Sequence, residues 1–179
     1  MKTSSKLKTL AFIAAALFFT CTAKAQTTPA NALRFNIGIE TSLPTGSATI
    51  GSPFSLGGTA RFQYGITNNF ALTITGGAYH FFAKVNPASP TGARYDSYGV
   101  IPLKAGVKEF FAPNIYIGLE AGVGMESLDN DFWGPKRFLI SPASGWANKH
   151  WDIGIHYESF SSGASYGLVA LRTAYGFGK

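Results

Sequence analysis

The stretch Ile115-Tyr116-Ile117-Gly118-Leu119-Glu120-Ala121-Gly122-Val123-Gly124-Met125-Glu126 decides the fold class. Every odd position is apolar, while the even positions hold only tyrosine, glycine and glutamate. Successive side chains of an extended strand point to opposite faces, so a period of two makes one apolar and one polar face. The recurrent glycines and the absence of a three-to-four spacing exclude an amphipathic helix.

The same alternation extends in both directions. Upstream, Ile101, Leu103, Ala105 and Val107 oppose Pro102, Lys104, Gly106 and Lys108. Before that, Phe70, Leu72, Ile74 and Ala78 oppose Thr73, Thr75, Gly77 and Tyr79, and Leu56, Ala60, Phe62, Tyr64 and Ile66 oppose Thr59, Arg61, Gln63 and Gly65. The first segment sets Leu33, Phe35, Ile37, Ile39 and Leu43 against Arg34, Asn36, Gly38, Glu40 and Ser42. Downstream, Trp151, Ile153, Ile155 and Tyr157 oppose Asp152, Gly154, His156 and Glu158, and Val169, Leu171, Tyr175 and Phe177 oppose Ala170, Arg172, Ala174 and Gly176. A segment from about Phe138 to Trp146 is poorly patterned but completes a set of eight. The fold class predicted is all-β: an eight-stranded antiparallel up-and-down barrel.

Which face forms the core follows from the charges. The polar faces together carry Arg34, Glu40, Arg61, Lys104, Lys108, Glu120, Glu126, Asp152, Glu158 and Arg172, five bases and five acids, with His156 among them. The apolar faces of these segments carry none. A soluble sandwich would solvate the charged faces, whereas a membrane barrel turns the apolar faces to lipid and pairs the charges in its lumen. The connections favour the membrane reading. Segments 44–55, 83–97, 128–137 and 159–165 are longer, while 67–69, 110–114 and 147–149 are short, the alternation of transmembrane barrels. Tyr64, Phe70, Phe110, Phe111, Trp146, Trp151, Tyr175 and Phe177 gather at the short-turn side, where an interfacial aromatic girdle is expected. About ten residues at 3.3 Å each, tilted near 45°, span roughly 23 Å, close to an outer membrane's apolar band.

Two register expectations follow. A turn near Ala112 places Lys104 across from Glu120 and Lys108 across from Tyr116, and a turn near Ser162 places Asp152 across from Arg172. Inward glycines, among them Gly38, Gly57, Gly65, Gly77, Gly106, Gly118, Gly122, Gly124, Gly154 and Gly176, leave room for long side chains from opposite strands in so narrow a barrel.

The N-terminus reads as a signal-peptide helix over residues 1–25. Lys2, Lys6 and Lys8 precede the apolar run Leu10–Phe19, and Ala23-Lys24-Ala25 supplies a small-x-small cleavage site before Gln26. The run is shorter than the roughly 20 residues a spanning helix needs. Phe18 and Thr20 stand where a lipobox ending at Cys21 would carry Leu and Gly or Ala. Residues 26–179 then form the barrel domain. The chain's formal charge of +6 is largely a property of the leader. Four of the 15 basic residues are leader lysines with no acid beside them, leaving 11 bases against 9 acids. No basic patch calls for nucleic acid. The sole cysteine is Cys21, which excludes disulfides, thiolate metal sites and cysteine catalysis downstream of it.

Ile101-Pro102-Leu103-Lys104-Ala105-Gly106, the run Ile115–Gly124 and the closing Arg172-Thr173-Ala174-Tyr175-Gly176-Phe177 resemble the small outer-membrane β-barrel domain family, the porin-like OmpA/OmpX-type barrels. The resemblance implies an outer-membrane location in a Gram-negative cell envelope and no specific activity. It departs in ending Gly178-Lys179 after the aromatic Phe177, and in placing Pro102 and Pro142 inside strands, where each is expected to mark a bulge.

No enzyme is expected. The lipid A 3-O-deacylase barrels carry His-x-Ser on a strand, but His156 is followed by Tyr157 and Glu158. His80 lies near the outer rim beside Phe81 and Phe82, and His150 borders a turn. Asp129-Asn130-Asp131 lacks EF-hand spacing. No catalytic, cofactor or metal residue is assigned. The expected partners are outer-membrane lipid and lipopolysaccharide, the barrel-assembly machinery through the C-terminal strand, and a surface ligand left unspecified, with the chain a monomer. A small diffusion pore and a soluble lipocalin-like calyx stay open as alternatives.

Overall fold

The run Ile115–Glu126 becomes one wall of a closed barrel. In a computed structural model of the chain, residues 28–127, 134–161 and 165–178 are described. The leader, its cleavage site Ala25–Gln26, Cys21, Asp129-Asn130-Asp131 and Ser162 lie outside them. The strands are β1 (Leu33–Gly46), β2 (Phe54–Gly65), β3 (Phe70–Phe82), β4 (Tyr98–Ala112), β5 (Ile115–Ser127), β6 (Lys136–Ala147), β7 (Trp151–Ser161) and β8 (Tyr166–Phe177), with a single helical turn, α1 (Ala48–Gly51), between β1 and β2. Each strand pairs antiparallel with its sequence neighbours, and β1 closes on β8.

The faces fall as the alternation requires. Ile39 is 62% exposed and Leu43 60%, whereas Lys104 is 1% exposed and Glu158 fully buried. The strands run further than the alternation alone indicates, because β1 keeps pairing with β8 as far as Gly46 and Tyr166. At the end where chain connections were expected to be long, 44–55 shrinks to 47–53 and 159–165 to 162–165. The connection 83–97 keeps its expected length, with a bridge between Val85 and Arg94 inside it, and 128–137 becomes 128–135, largely outside the described residues. We call this the loop end, and the end carrying 66–69, 113–114 and 148–150 the turn end.

Both register expectations shift by two residues. The β4–β5 hairpin turns at Pro113–Asn114, with Asn114 at φ 65°, the left-handed geometry that tight hairpins favour and asparagine tolerates. Moving the turn centre by one residue moves the pairing by two, so Lys104 faces Gly122 and Lys108 faces Gly118. The β7–β8 turn also lies one residue later, so Asp152 faces Ala174 and Arg172 faces Gly154. An even shift leaves every side chain on its face.

Neither proline makes a bulge. Pairing with β5 runs without a shift through Pro102 and Pro142, and the β3–β4 and β6–β7 ladders skip the positions beside each proline and resume in the same register. The missing N–H removes a ladder bond on one side only. The register between β4 and β5 shifts instead between Phe110 and Ala112.

Glycine lets this narrow barrel close. A Cβ on inward Gly106 would stand 2.6 Å from Glu120 Cα, and one on Gly77 would stand 2.6 Å from Gly58 O. Outward Gly76 has its nearest neighbour, Leu103 Cδ1, at 3.9 Å. Gly106→Ala is therefore expected to lower the unfolding free energy of the barrel in urea, whereas Gly76→Ala leaves it within about 0.5 kcal/mol of the parent. Equal effects at the two positions would contradict this account of the wall.

Candidate functional site: a charged lumen

All eleven residues expected in the luminal network point inward. Each is buried: Arg34, Glu40, Arg61, Lys104, Lys108, Glu120, Glu126, Asp152, His156, Glu158 and Arg172. Glu40, Arg61, Lys104, Lys108, Glu120, Asp152, His156, Glu158 and Arg172 form one connected set of charge contacts, and Glu126 pairs separately with Arg137.

The strongest contacts cross the lumen between strands that are not neighbours. Arg61 on β2 reaches Glu120 on β5 at 3.0 Å. On β4, Lys108 reaches Asp152 of β7 at 2.6 Å and Lys104 bonds Glu158 of the same strand. Weaker approaches join these pairs: Lys104 to Glu120 at 3.8 Å, Arg61 to Asp152 at 4.0 Å and Arg172 to Asp152 at 3.7 Å. Lys104–Glu120 and Arg172–Asp152 are thus diagonal secondary contacts, because the hairpin turns lie one residue later than the sequence reading placed them. Closure of β1 on β8 sets Glu40 directly opposite Arg172, 3.3 Å away. His156 Nε2 lies 3.3 Å from Glu40 and 3.4 Å from Glu158.

Hydroxyl groups add to the set. Thr73 and Thr75 donate to Glu120 at 2.8 and 2.7 Å, and Thr59 donates to Glu40 at 3.0 Å. The Tyr79 hydroxyl sits 2.7 Å from Glu40 and 3.1 Å from Glu158, and Tyr116 donates to Asp152 at 2.8 Å. The Lys108 ammonium lies 3.6 Å from the centre of the Tyr116 ring, a cation–π contact. These partners stand on the polar faces of β2, β3 and β5, but neutral hydroxyls give no sign in a sequence of which carboxylate they will meet. Small inward residues admit the long ones. The ring of Tyr79 lies over Gly57, the Tyr116 hydroxyl over Gly154, and the Arg34 guanidinium over Gly176.

Two apolar layers flank the network. At the loop end, Phe81, Val100, Leu139, Phe160 and Leu168 pack with Tyr79 and Tyr166. Beside them Glu126, directly across from Val100, pairs with Arg137 at 2.5 Å and accepts from Tyr166 at 2.9 Å. Arg137 belongs to the weakly patterned sixth strand, which hid it from the sequence reading. At the turn end, Phe110, Tyr116 and Ala147 form a smaller cluster, and Arg34 donates to Asn148 O at 2.8 Å. A cavity of about 10 Å³ lies among Arg61, Lys108, Tyr116 and Glu120, room for about one water.

The aromatic girdle is placed outward with one correction. Tyr64, Phe111, Trp146, Trp151, Tyr175 and Phe177 are exposed and Phe70 is half-buried, but Phe110 is 2% exposed and faces the lumen. Phe110 shares the parity of Lys108, so the alternation of β4 carries it inward. Ring contacts run from Trp151 through Tyr175, Phe177 and Phe35 to Phe62. A second group, His80, Phe82 and Phe54, lies at the loop end. Because β4 continues past Lys108, Glu109 takes the outward parity near the turn end but is only 9% exposed, and Lys136 opens β6 exposed on the outward face at the loop end.

Glu40, His156 and Glu158 each offer a ligand atom within 4.8 Å of the others. Their carboxylates already receive Arg172, Lys104, Tyr79 and Thr59, so a further dication would bring net positive charge into a compensated centre.

This geometry defines the fold of the small eight-stranded outer-membrane barrels. The attachment invasion locus protein Ail of Yersinia pestis, solved with the heparin analogue sucrose octasulfate, matches at TM-score 0.55 with 14% identity over 83% of this chain and 99% of Ail. Ail in a phospholipid bilayer nanodisc matches at 0.56, with 12% identity over 82% of this chain and 99% of that one. Neisserial surface protein A matches at 0.54, with 14% identity over 80% of this chain and 97% of that one. No family profile matches the chain, and no curated protein does.

Lys104→Met would leave Glu158 buried without its ammonium partner, a loss of about 3–5 kcal/mol for a dry pair. Lys104→Met combined with Glu158→Gln should regain much of that loss. Urea unfolding of the four proteins of this double-mutant cycle measures the coupling, and additive losses would contradict the pairing.

Proposed function

We propose that this chain is an integral outer-membrane β-barrel protein of a Gram-negative envelope, exported by a cleaved signal peptide, with a structural or surface-interaction role and a lumen closed by its own paired charges. The observation that carries the reading is the inversion of polarity: large apolar side chains cover the outside and the charges are buried inside. Water would not tolerate so continuous an apolar exterior on a monomer, whereas a bilayer requires it. The outward charge Lys136 lies at a strand end, where it can reach a headgroup region, and Glu109, near the end of β4, is buried. Aromatics at both ends fit the two interfaces, and the termini then face the periplasm with the turn end. Phe177, half exposed at the end of β8, is the residue through which the barrel-assembly machinery would engage the strand.

A closed lumen is favoured over a diffusion pore by the transluminal pairs and the apolar layer on each side of them. A pore needs a continuous column of water, and the cavity among these groups holds about one molecule. A lipocalin-like calyx needs an apolar interior, the reverse of this one. The reading assigns no catalytic residue, keeps the barrel monomeric, and gives contact with lipopolysaccharide and any surface ligand to the loop end, chiefly 83–97.

The expected behaviour in a Gram-negative host is co-sedimentation with outer membrane, resistance to carbonate extraction and a gel mobility that changes on boiling. A freely soluble species unaffected by boiling would favour the calyx. In planar bilayers the purified protein should give no stable single-channel steps, whereas reproducible steps altered by Asp152→Asn would promote the pore. Leu103→Lys places a charge on the outer face and should cost roughly 2–4 kcal/mol of unfolding free energy in vesicles if it lies near the midplane.

A further inference from the structure

The residues just before β1 do not leave the barrel at the turn end; they fold back across its mouth. Asn31 adopts φ 61° and reverses the chain. Asn31 N then donates to Gly65 O at 2.8 Å and Gly65 N donates to Ala32 O at 3.0 Å. Thr28, upstream of this reversal, is only 3% exposed, and Gln63 Nε2 donates to its hydroxyl at 2.7 Å. Gln63 points inward and is 1% exposed, so a bond to it seats Thr28 within the lumen. Two outer contacts fix the bend, Ala30 N to Asn68 Oδ1 at 3.3 Å and Tyr64 OH to Asn31 Oδ1 at 3.3 Å.

The seat depends on Gly65. A Cβ there would stand 2.9 Å from Thr28 O and closer still to Pro29 O, both backbone atoms that cannot swing aside as a side-chain tip can. The inner wall beside this segment is polar: Gln63 pairs with Arg34, and Asn36 lies fully buried on the same face. Without cover, this half of the lumen would open to water at the turn end.

We infer that Thr28–Ala32 is a strap that seals the turn-end mouth of the lumen, held by the Gln63–Thr28 bond and admitted by the absence of a side chain at Gly65. It is a latch within the chain, independent of whether the loop end binds anything. The polar wall beneath it stays shielded while the strap is seated and becomes accessible when it lifts.

Thiol labelling tests this in a Cys21→Ser background, which leaves the chain without cysteine. With a hydrophilic maleimide on the folded protein in vesicles or micelles, Thr28→Cys, whose sulfur can still accept from Gln63 and whose backbone contacts with Gly65 are kept, should react at least tenfold more slowly than Ala30→Cys, which lies on the exposed side of the bend. Asn36→Cys should be equally protected, and adding Gly65→Val should raise its rate at least tenfold while the gel mobility still changes on boiling. Equal rates at 28 and 30 would show that the strap is not seated and overturn the inference. A folded Gly65→Val protein in which position 36 stays protected would also overturn it. If Gly65→Val prevents folding, the comparison of positions 28 and 30 decides alone.

Discussion

Closing eight strands into a barrel leaves an interior only about as wide as the side chains that fill it. In this chain those side chains are charged. Each buried base and acid is therefore stabilised by a partner inside the wall, because an isolated buried charge costs several kcal/mol. The pairs Arg61–Glu120, Lys104–Glu158 and Lys108–Asp152 meet that requirement by bridging β2 to β5 and β4 to β7, so they join walls that no backbone hydrogen bond connects. Neighbouring strands are held by their ladders, and opposite walls by ions.

The remaining features follow from that constraint. Glycine at positions 57, 154 and 176 makes space for Tyr79, Tyr116 and Arg34. Threonine and tyrosine hydroxyls take up carboxylate lone pairs that the cations leave over. Apolar clusters flank the charges toward each end, and low-dielectric surroundings of this kind strengthen each pair and raise the cost of losing one partner. With its polarity spent inside, the chain has an apolar exterior, suited to a bilayer and unsuited to water.

The face of nearly every strand residue was legible from alternation, since parity is a local property. Pairing was not. A hairpin turn misplaced by one residue moved Lys104 from Glu120 to Gly122 and Arg172 from Asp152 to Gly154 without changing any face. The Glu40–Arg172 pair depends on how the first strand meets the last, and the β4–β7 pairs on the barrel's width; neither is written in a turn. Phe110 was misread because its neighbour Phe111 suggested a shared rim position, whereas adjacent strand residues face opposite ways. The strap was invisible for a related reason: Thr28–Ala32 has no periodicity, and its position rests on a left-handed Asn31 and on Gly65, on the order of 110 Å of extended chain away.

The central claim is that apolar side chains face lipid and charged ones the closed lumen, and its most direct test is a nitroxide scan along β4 in bilayers. Power saturation with oxygen, which concentrates in lipid, should be strong for labels at 101, 103, 105 and 107 and weak at 102, 104, 106 and 108. A scan with the opposite phase, or with no alternation and uniform access to an aqueous nickel reagent, would contradict the inverted barrel.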